Sequence, residues 1–132
     1  MTLGLDYYNV ITQFPDVCRE LVKSQVLLGH KTFIISAVGD RRLKKVGGME
    51  KYREEIDSFH IPSTETIIVF FDHEDEIPTL KYKICKEKGI DLFIDDRPET
   101  VEYLHQNGLM ALLLPKPVRP EKGRDSEINN KK

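Results

Sequence analysis

Short apolar runs alternate with longer amphipathic stretches along most of the chain. The apolar runs are rich in leucine, β-branched and aromatic residues, which is typical of buried strands. The five predicted strands are residues 3–5, 32–35, 66–71, 91–94 and 109–114. Between them, apolar side chains recur at helical spacing, and proline or glycine marks the helix ends. The predicted helices are residues 15–28, 40–59, 78–88 and 98–107.

Strands that alternate with helices predict the α/β class, here a doubly wound, three-layer parallel sheet of about five strands with right-handed crossovers. The helix over residues 40–59 contains Gly47 and Gly48, which are a candidate break. We expect one folded domain over residues 1–117. Residues 118–132 contain almost nothing to bury, which predicts a disordered polar tail.

The composition is typical of a soluble globular protein. Hydrophobic residues make up 39% of the chain, and 20 basic residues oppose 22 acidic ones. No overall basic charge therefore favours nucleic acid or a membrane surface. No apolar run approaches the roughly 20 residues that span a bilayer, and a signal-peptide pattern is missing, so we expect a cytoplasmic protein without a membrane partner. The two cysteines, Cys18 and Cys85, are expected to be free thiols.

Two adjacent carboxylates, Asp95 and Asp96, follow the fourth predicted strand. Open α/β sheets bind ligands at the carboxyl ends of their strands. Because neighbouring like charges repel, a bound cation would explain this pair, and Mg²⁺ is the natural candidate. The alternative is that one carboxylate caps the helix beginning at Pro98 and the other is solvated.

Other strand ends carry complementary groups. Asp6 follows the first strand, Ser36 follows the second, and a lysine-rich helix precedes the fourth. These ends share one edge of a parallel sheet, so the side chains can meet. A carboxylate nucleophile, a metal, a hydroxyl and an ammonium suit phosphoryl transfer. Each group also has a simpler explanation, namely a turn, a helix cap or a solvated lysine.

The order of these motifs resembles that of the haloacid dehalogenase-like superfamily, in its small capless phosphatase form. The similar segments are residues 4–12 (GLDYYNVIT), 34–36 (IIS) and 91–98 (DLFIDDRP). The resemblance covers about residues 3–114. It implies the strand order 5-4-1-2-3 and an Mg²⁺-dependent phosphohydrolase that forms a phospho-aspartyl intermediate.

The resemblance also implies roles for individual residues. The implied catalytic residues are Asp6, Tyr8, Ser36 and Lys81. The implied phosphate-binding residues are Ser36, Ala37 and Lys81. The implied Mg²⁺ ligands and their neighbour are Asp6, the Tyr8 carbonyl, Asp95 and Asp96. Lys83 and Lys86 remain alternatives to Lys81.

The first motif departs from the family at Tyr8, where its phosphatases carry the aspartate that protonates the leaving group. A phenol is a poor base at neutral pH. Two functions therefore stay open, a slow phosphohydrolase and a catalytically inactive binding or structural protein. A dehalogenase is disfavoured because about ten residues follow the first strand before its helix, too few for a cap. A receiver domain of two-component signalling is disfavoured because its acidic residues and lysine follow different strands.

The open, capless site leaves the ligand undecided. A nucleotide, a nucleic-acid end or another phosphomonoester fits the implied chemistry, and the phosphorylated substrate can be a macromolecule. A second subunit or another protein covering the site is a further alternative.

Overall fold

Five parallel strands form one sheet with helices on both faces. The computed structural model describes residues 1–116. The strands are β1 (Leu3–Leu5), β2 (Thr32–Gly39), β3 (Glu65–Phe71), β4 (Leu92–Asp95) and β5 (Met110–Leu113). The helices are α1 (Pro15–Leu27), α2 (Asp40–Val46), α3 (Met49–Asp57), α4 (Ile77–Lys88) and α5 (Pro98–Gln106). Short helical turns at Tyr7–Ile11 and Glu74–Glu76 precede α1 and α4.

The strand order confirms the predicted α/β architecture. The order is β3-β2-β1-β4-β5, which is the predicted order 5-4-1-2-3 counted from the other edge. Every neighbouring pair is parallel. Leu5, at the end of β1, lies opposite Ile34 of β2 and Ile94 of β4. The residues that follow these positions therefore meet at one edge of the sheet.

Side chains that alternate along the strands build two cores. Ile34 packs on the face covered by α1 and α3, whereas its neighbours Phe33 and Ile35 pack on the face covered by α4 and α5. At the centre of the sheet, β1 passes close to Phe93. A Cβ atom on Gly4 would lie 2.6 Å from Cδ1 of that ring, so the position is fitted to glycine.

Two elements differ from the prediction or refine it. β2 runs to Gly39 instead of ending at residue 35, because β3 pairs with it as far as Gly39 opposite Phe71. Ser36 consequently lies inside the strand and not after it. The stretch 40–59 is two helices that meet at Gly47 and Gly48, both at positive φ (101° and 110°). The predicted tail, residues 118–132, lies outside the described residues.

Both cysteines are free and buried, as expected. Burial raises the pKa of the Cys85 thiol to about 12, so it behaves as a small apolar side chain. Of the helices within residues 1–116, none has the length and hydropathy needed to cross a membrane.

Candidate functional site

The carboxyl ends of β1 and β4 place two aspartates side by side. The Asp6 main-chain N–H donates to the Ile94 carbonyl at 2.9 Å, which continues the ladder by one residue beyond β1. Asp95 is the last residue of β4 and is fully buried, and Asp6 is 5% exposed. Both positions follow from the parallel register, because adjacent strands of equal direction end at the same edge.

Lys81 joins these two carboxylates. Its Nζ donates to Asp6 Oδ1 at 2.9 Å and to Asp95 Oδ2 at 2.7 Å. The Lys81 side chain is 2% exposed, although α4 carries other lysines at exposed positions, among them Lys83 and Lys86. The structure thus brings Lys81, and neither of the two alternatives, to the aspartates.

The buried charges shift each other's protonation. Burial raises the pKa of the Asp6 carboxyl well above its usual range, and the Lys81 ammonium only partly offsets this effect. Burial by itself would lower the pKa of Lys81, but the carboxylates of Asp6 and Asp95 outweigh it and raise that pKa above its ordinary value. Lys81 is therefore charged at neutral pH, and Asp6 holds a proton more readily than an ordinary aspartate does.

Asp96 completes a group of three carboxylates. Burial alone would raise the pKa of Asp96, but hydrogen bonds, first from the Asn9 amide and then from Asp6, lower it. The Asn9 Nδ2 donates to Asp96 Oδ2 at 2.9 Å. One oxygen from each of Asp6, Asp95 and Asp96 lies within 4.8 Å of the others. Clustered carboxylate oxygens are the ligands that Mg²⁺ prefers, and each oxygen has two lone pairs, so this set fits a cation even with Lys81 in place.

Asp6, Asp96 and Lys81 line a cavity of about 220 Å³, whereas the fully buried Asp95 is not part of its lining. Among its lining residues are Asp6, Asp96, Lys81, Ser36 and Ala37. The Ser36 Oγ is paired with the Tyr52 hydroxyl at 2.7 Å. The cavity therefore combines anionic, cationic and hydroxyl groups within reach of one small ligand.

Tyr8 lies at the mouth of this cavity. It is 47% exposed, and its ring packs against Arg42, whose Cζ is 4.9 Å from the ring centroid. The Tyr8 ring is thus packed on a guanidinium at the surface, whereas Asp6 of the same cavity is buried.

Several lining residues were not anticipated from the sequence. They are Asn9, Arg42, Tyr52 and Arg97. An asparagine shortly after a strand end is a sequence clue to a turn, because asparagine tolerates the left-handed conformation better than most residues. Asn9 adopts this conformation, with φ 65°. Arg42 and Tyr52 reach the cavity only through the packing of α2 and α3 against the sheet, for which the sequence carries no local signal.

No protein-family model and no curated protein matches the chain. A solved structure of a universal stress protein in complex with cAMP is similar, with a TM-score of 0.54 and 8% sequence identity. That match covers 89% of this chain and 98% of the other. A solved structure of a hypothetical protein has a TM-score of 0.44 and 14% identity, covering 90% of this chain and 98% of that one.

The identification with the haloacid dehalogenase-like superfamily is therefore wrong. The phosphohydrolase function that this identification implied is wrong as well. The resemblance depended on short motifs at strand ends. Doubly wound sheets of unrelated function place carboxylates at this same edge, so the motifs indicate the architecture and not the family. The chain is a five-stranded α/β protein with the fold of a universal stress protein.

Proposed function

We propose that this protein is a non-catalytic binding protein that holds a phosphate group together with Mg²⁺ in the cavity above β1 and β4. The observation that carries the proposal is the buried Lys81 ammonium, 2.9 Å from Asp6 and 2.7 Å from Asp95 beneath that cavity. Buried ion pairs contribute little net stability. Such a cluster at the ligand-binding edge of the sheet is better explained by a ligand.

The charge balance of the site calls for a cation. Beside Lys81, three carboxylates lie around one ammonium, so a phosphate bound at that end of the cavity without a cation would be repelled, although arginine and lysine side chains line other parts of the cavity. Asp6, Asp95 and Asp96, together with the Tyr8 carbonyl, would hold Mg²⁺, which would offset this negative charge when phosphate binds. Binding of Mg²⁺ would favour the ionised form of Asp6, because metal ligands must be deprotonated.

The phosphate would contact the remaining polar groups of the cavity. Lys81 supplies an ammonium and Ser36 a hydroxyl, with Ala37 beside them in the wall. The volume of about 220 Å³ is smaller than the roughly 300–1,000 Å³ of sites that enclose a drug-sized ligand. The cavity therefore takes the phosphate head group, and the rest of the ligand lies across its mouth. The universal stress protein of similar fold was solved with cAMP, which makes a nucleotide the first ligand class to test.

Tyr8 supports binding without turnover. The cavity residue Tyr8 is a half-exposed phenol packed on Arg42, and phenols are in general poor acids and bases for catalysis at neutral pH. The mouth of the site is open within the described residues, and a second subunit or a phosphorylated macromolecule would cover it.

Calorimetric titration of Mg²⁺, alone and in the presence of AMP, tests the proposal. We expect Mg²⁺ and AMP to strengthen each other's binding. Asp96→Asn should weaken Mg²⁺ binding by about 10-fold or more, because it removes a carboxylate ligand. Asp75→Asn, an exposed carboxylate outside the cavity, is the matched control and should bind like wild type. Equal Mg²⁺ affinities in wild type, Asp96→Asn and Asp95→Asn would overturn the proposal.

A further inference from the structure

We propose that the ligand of this cavity carries a second phosphate group, which binds to a basic rim formed by Arg42, Arg97 and Lys116. This inference rests on the proposed function and names the ligand class of the same site. The ligand would place one phosphate beside Lys81 and the next at the rim.

The basic rim is assembled from three separate parts of the chain. Arg42 lies on α2, Arg97 immediately precedes α5, and Lys116 follows β5, yet all three line the one cavity. A solvated helix face would instead present its charges along a single element. Convergence of three cations on one opening therefore indicates a binding surface for negative charge.

The guanidinium of Arg42 has N–H groups that are available to a ligand. Its nearest acidic partner is Glu55, at 3.5 Å. Its Nε is buried and has no hydrogen-bond partner among residues 1–116. Packing on the Tyr8 ring fixes the plane of the group at the mouth of the cavity. A buried donor without a partner is costly, and a phosphate oxygen would satisfy it.

The other two rim residues are also available to a ligand. Arg97 contacts Glu99 at 3.2 Å and Glu74 at 3.8 Å, but these carboxylates are 58% and 74% exposed. Exposed pairs of this kind contribute little and exchange readily for a stronger partner. Lys116 is exposed at the end of the described chain.

Phosphate is the anion that best fits both the rim and the cavity. Arginine binds phosphate through paired N–H groups, and lysine binds it as a point charge. Two neighbouring phosphates occur in a free polyphosphate, such as a nucleoside diphosphate, and at the end of a nucleic-acid strand. The two sources share the chemistry that the rim recognises, and separate ligands distinguish them.

Binding assays at a fixed, saturating Mg²⁺ concentration test the inference with paired ligands. Pyrophosphate is compared with inorganic phosphate, and a 5′-phosphorylated dinucleotide is compared with AMP. At least one two-phosphate ligand should bind about tenfold more tightly than its one-phosphate counterpart, the expected gain from one charge-assisted contact. An advantage for pyrophosphate indicates a free polyphosphate, and an advantage for the dinucleotide alone indicates a strand end.

Variants at the rim identify the source of that advantage. Arg42→Gln and Lys116→Gln should each reduce the affinity advantage of the two-phosphate ligand over its one-phosphate counterpart severalfold. The controls are Arg41→Gln, on the same helix but outside the cavity, and Lys83→Gln, an exposed residue of α4. Both controls should keep the full advantage.

Two results would overturn the inference. One is equal affinity for one-phosphate and two-phosphate ligands in the wild type, and the other is an advantage that survives both rim substitutions. In either case binding of inorganic phosphate with Mg²⁺ would leave the proposed function intact. Failure of inorganic phosphate and AMP to bind at all would instead remove the proposed function and this inference together.

Discussion

Lys81 is the residue on which the candidate site depends. A buried lysine is rare unless it is paired, and here both partners are themselves buried carboxylates. Its position was predictable because the predicted helix before β4 places one of its lysines above the strand ends. Which lysine would turn inward followed from the family resemblance, and the structure gives the same residue although the family was wrong.

Loss of the Lys81 charge should destabilise the fold. Lys81→Met leaves the carboxylates of Asp6 and Asp95 buried without their cation, and breaking a buried pair in this way costs about 3–5 kcal/mol. Urea unfolding at neutral pH measures the change. Lys83→Met, at an exposed position of the same helix, is the control and should change the free energy of unfolding by less than about 0.5 kcal/mol. Equal effects of the two substitutions would show that the buried pairs do not form.

Asp6 should lower the stability of the apo protein as pH rises. Its folded-state pKa is raised by burial, so the unfolded chain gives up this proton at lower pH than the folded protein does. The Asp6 carboxyl contributes stability at pH values below its pKa in the unfolded chain, which is about 4. This contribution is lost as the pH rises through the higher pKa of the folded state. Asp6→Asn keeps an acceptor for Lys81 without the charge, and it should therefore gain stability relative to wild type across that window.

Urea unfolding of the wild type and of Asp6→Asn without Mg²⁺, from about pH 4 to about pH 8, measures the difference between their free energies of unfolding. Added Mg²⁺ should then stabilise the wild type more than Asp6→Asn, because only the wild type keeps the ligand. A wild type that gains stability over Asp6→Asn as pH rises would contradict the assigned direction of the pKa shift.

At the scale of elements, the sequence predicts where strands and helices lie better than where they end. β2 extends through Ser36, Ala37 and Val38 to Gly39, although small and polar residues there look like a strand terminus. Pairing with β3 determines where β2 ends, because strand formation depends on the neighbouring strand more than on the intrinsic preference of each residue. The break between α2 and α3 was predictable, because the adjacent glycines adopt the positive φ that other residues avoid.

The tight packing of Phe93 against Gly4 gives a prediction for β1. Gly4→Ala would put a methyl group 2.6 Å from Cδ1 of Phe93, and overpacking of this kind costs about 1–3 kcal/mol. Denaturant unfolding measures the loss. The double variant Gly4→Ala with Phe93→Leu should lose less than the sum of the two single variants, because the smaller side chain removes the clash. Strict additivity would contradict this contact.

At the scale of the whole molecule, the architecture followed from the sequence and the family did not. Alternating strands and helices predict the parallel sheet with right-handed crossovers, and the observed order β3-β2-β1-β4-β5 is the one that the family resemblance implied. Membership of a family depends on much more than carboxylates at strand ends, which many doubly wound proteins share. The universal stress protein shares the fold of this chain, but a shared fold does not determine the ligand. The ligand depends on the residues of this cavity.

The basic rim could not have been predicted as a unit. Arg42, Arg97 and Lys116 are ordinary surface residues in the sequence, in a chain whose net charge is −2. They become neighbours only because α2, the start of α5 and the end of β5 meet around one cavity. A local concentration of positive charge can therefore exist on a slightly acidic protein.

Phosphorus NMR of AMP mixed with the 132-residue protein tests whether the site binds phosphate with Mg²⁺ without hydrolysing it. We expect the AMP signal to broaden or shift on addition of Mg²⁺ and no inorganic phosphate to accumulate. Lys81→Met should abolish the change in the AMP signal in a sample that circular dichroism shows to be folded. An AMP signal that does not change on addition of Mg²⁺ would contradict the proposed binding. An inorganic phosphate signal that grows with wild type but not with Asp6→Asn would contradict the absence of hydrolysis.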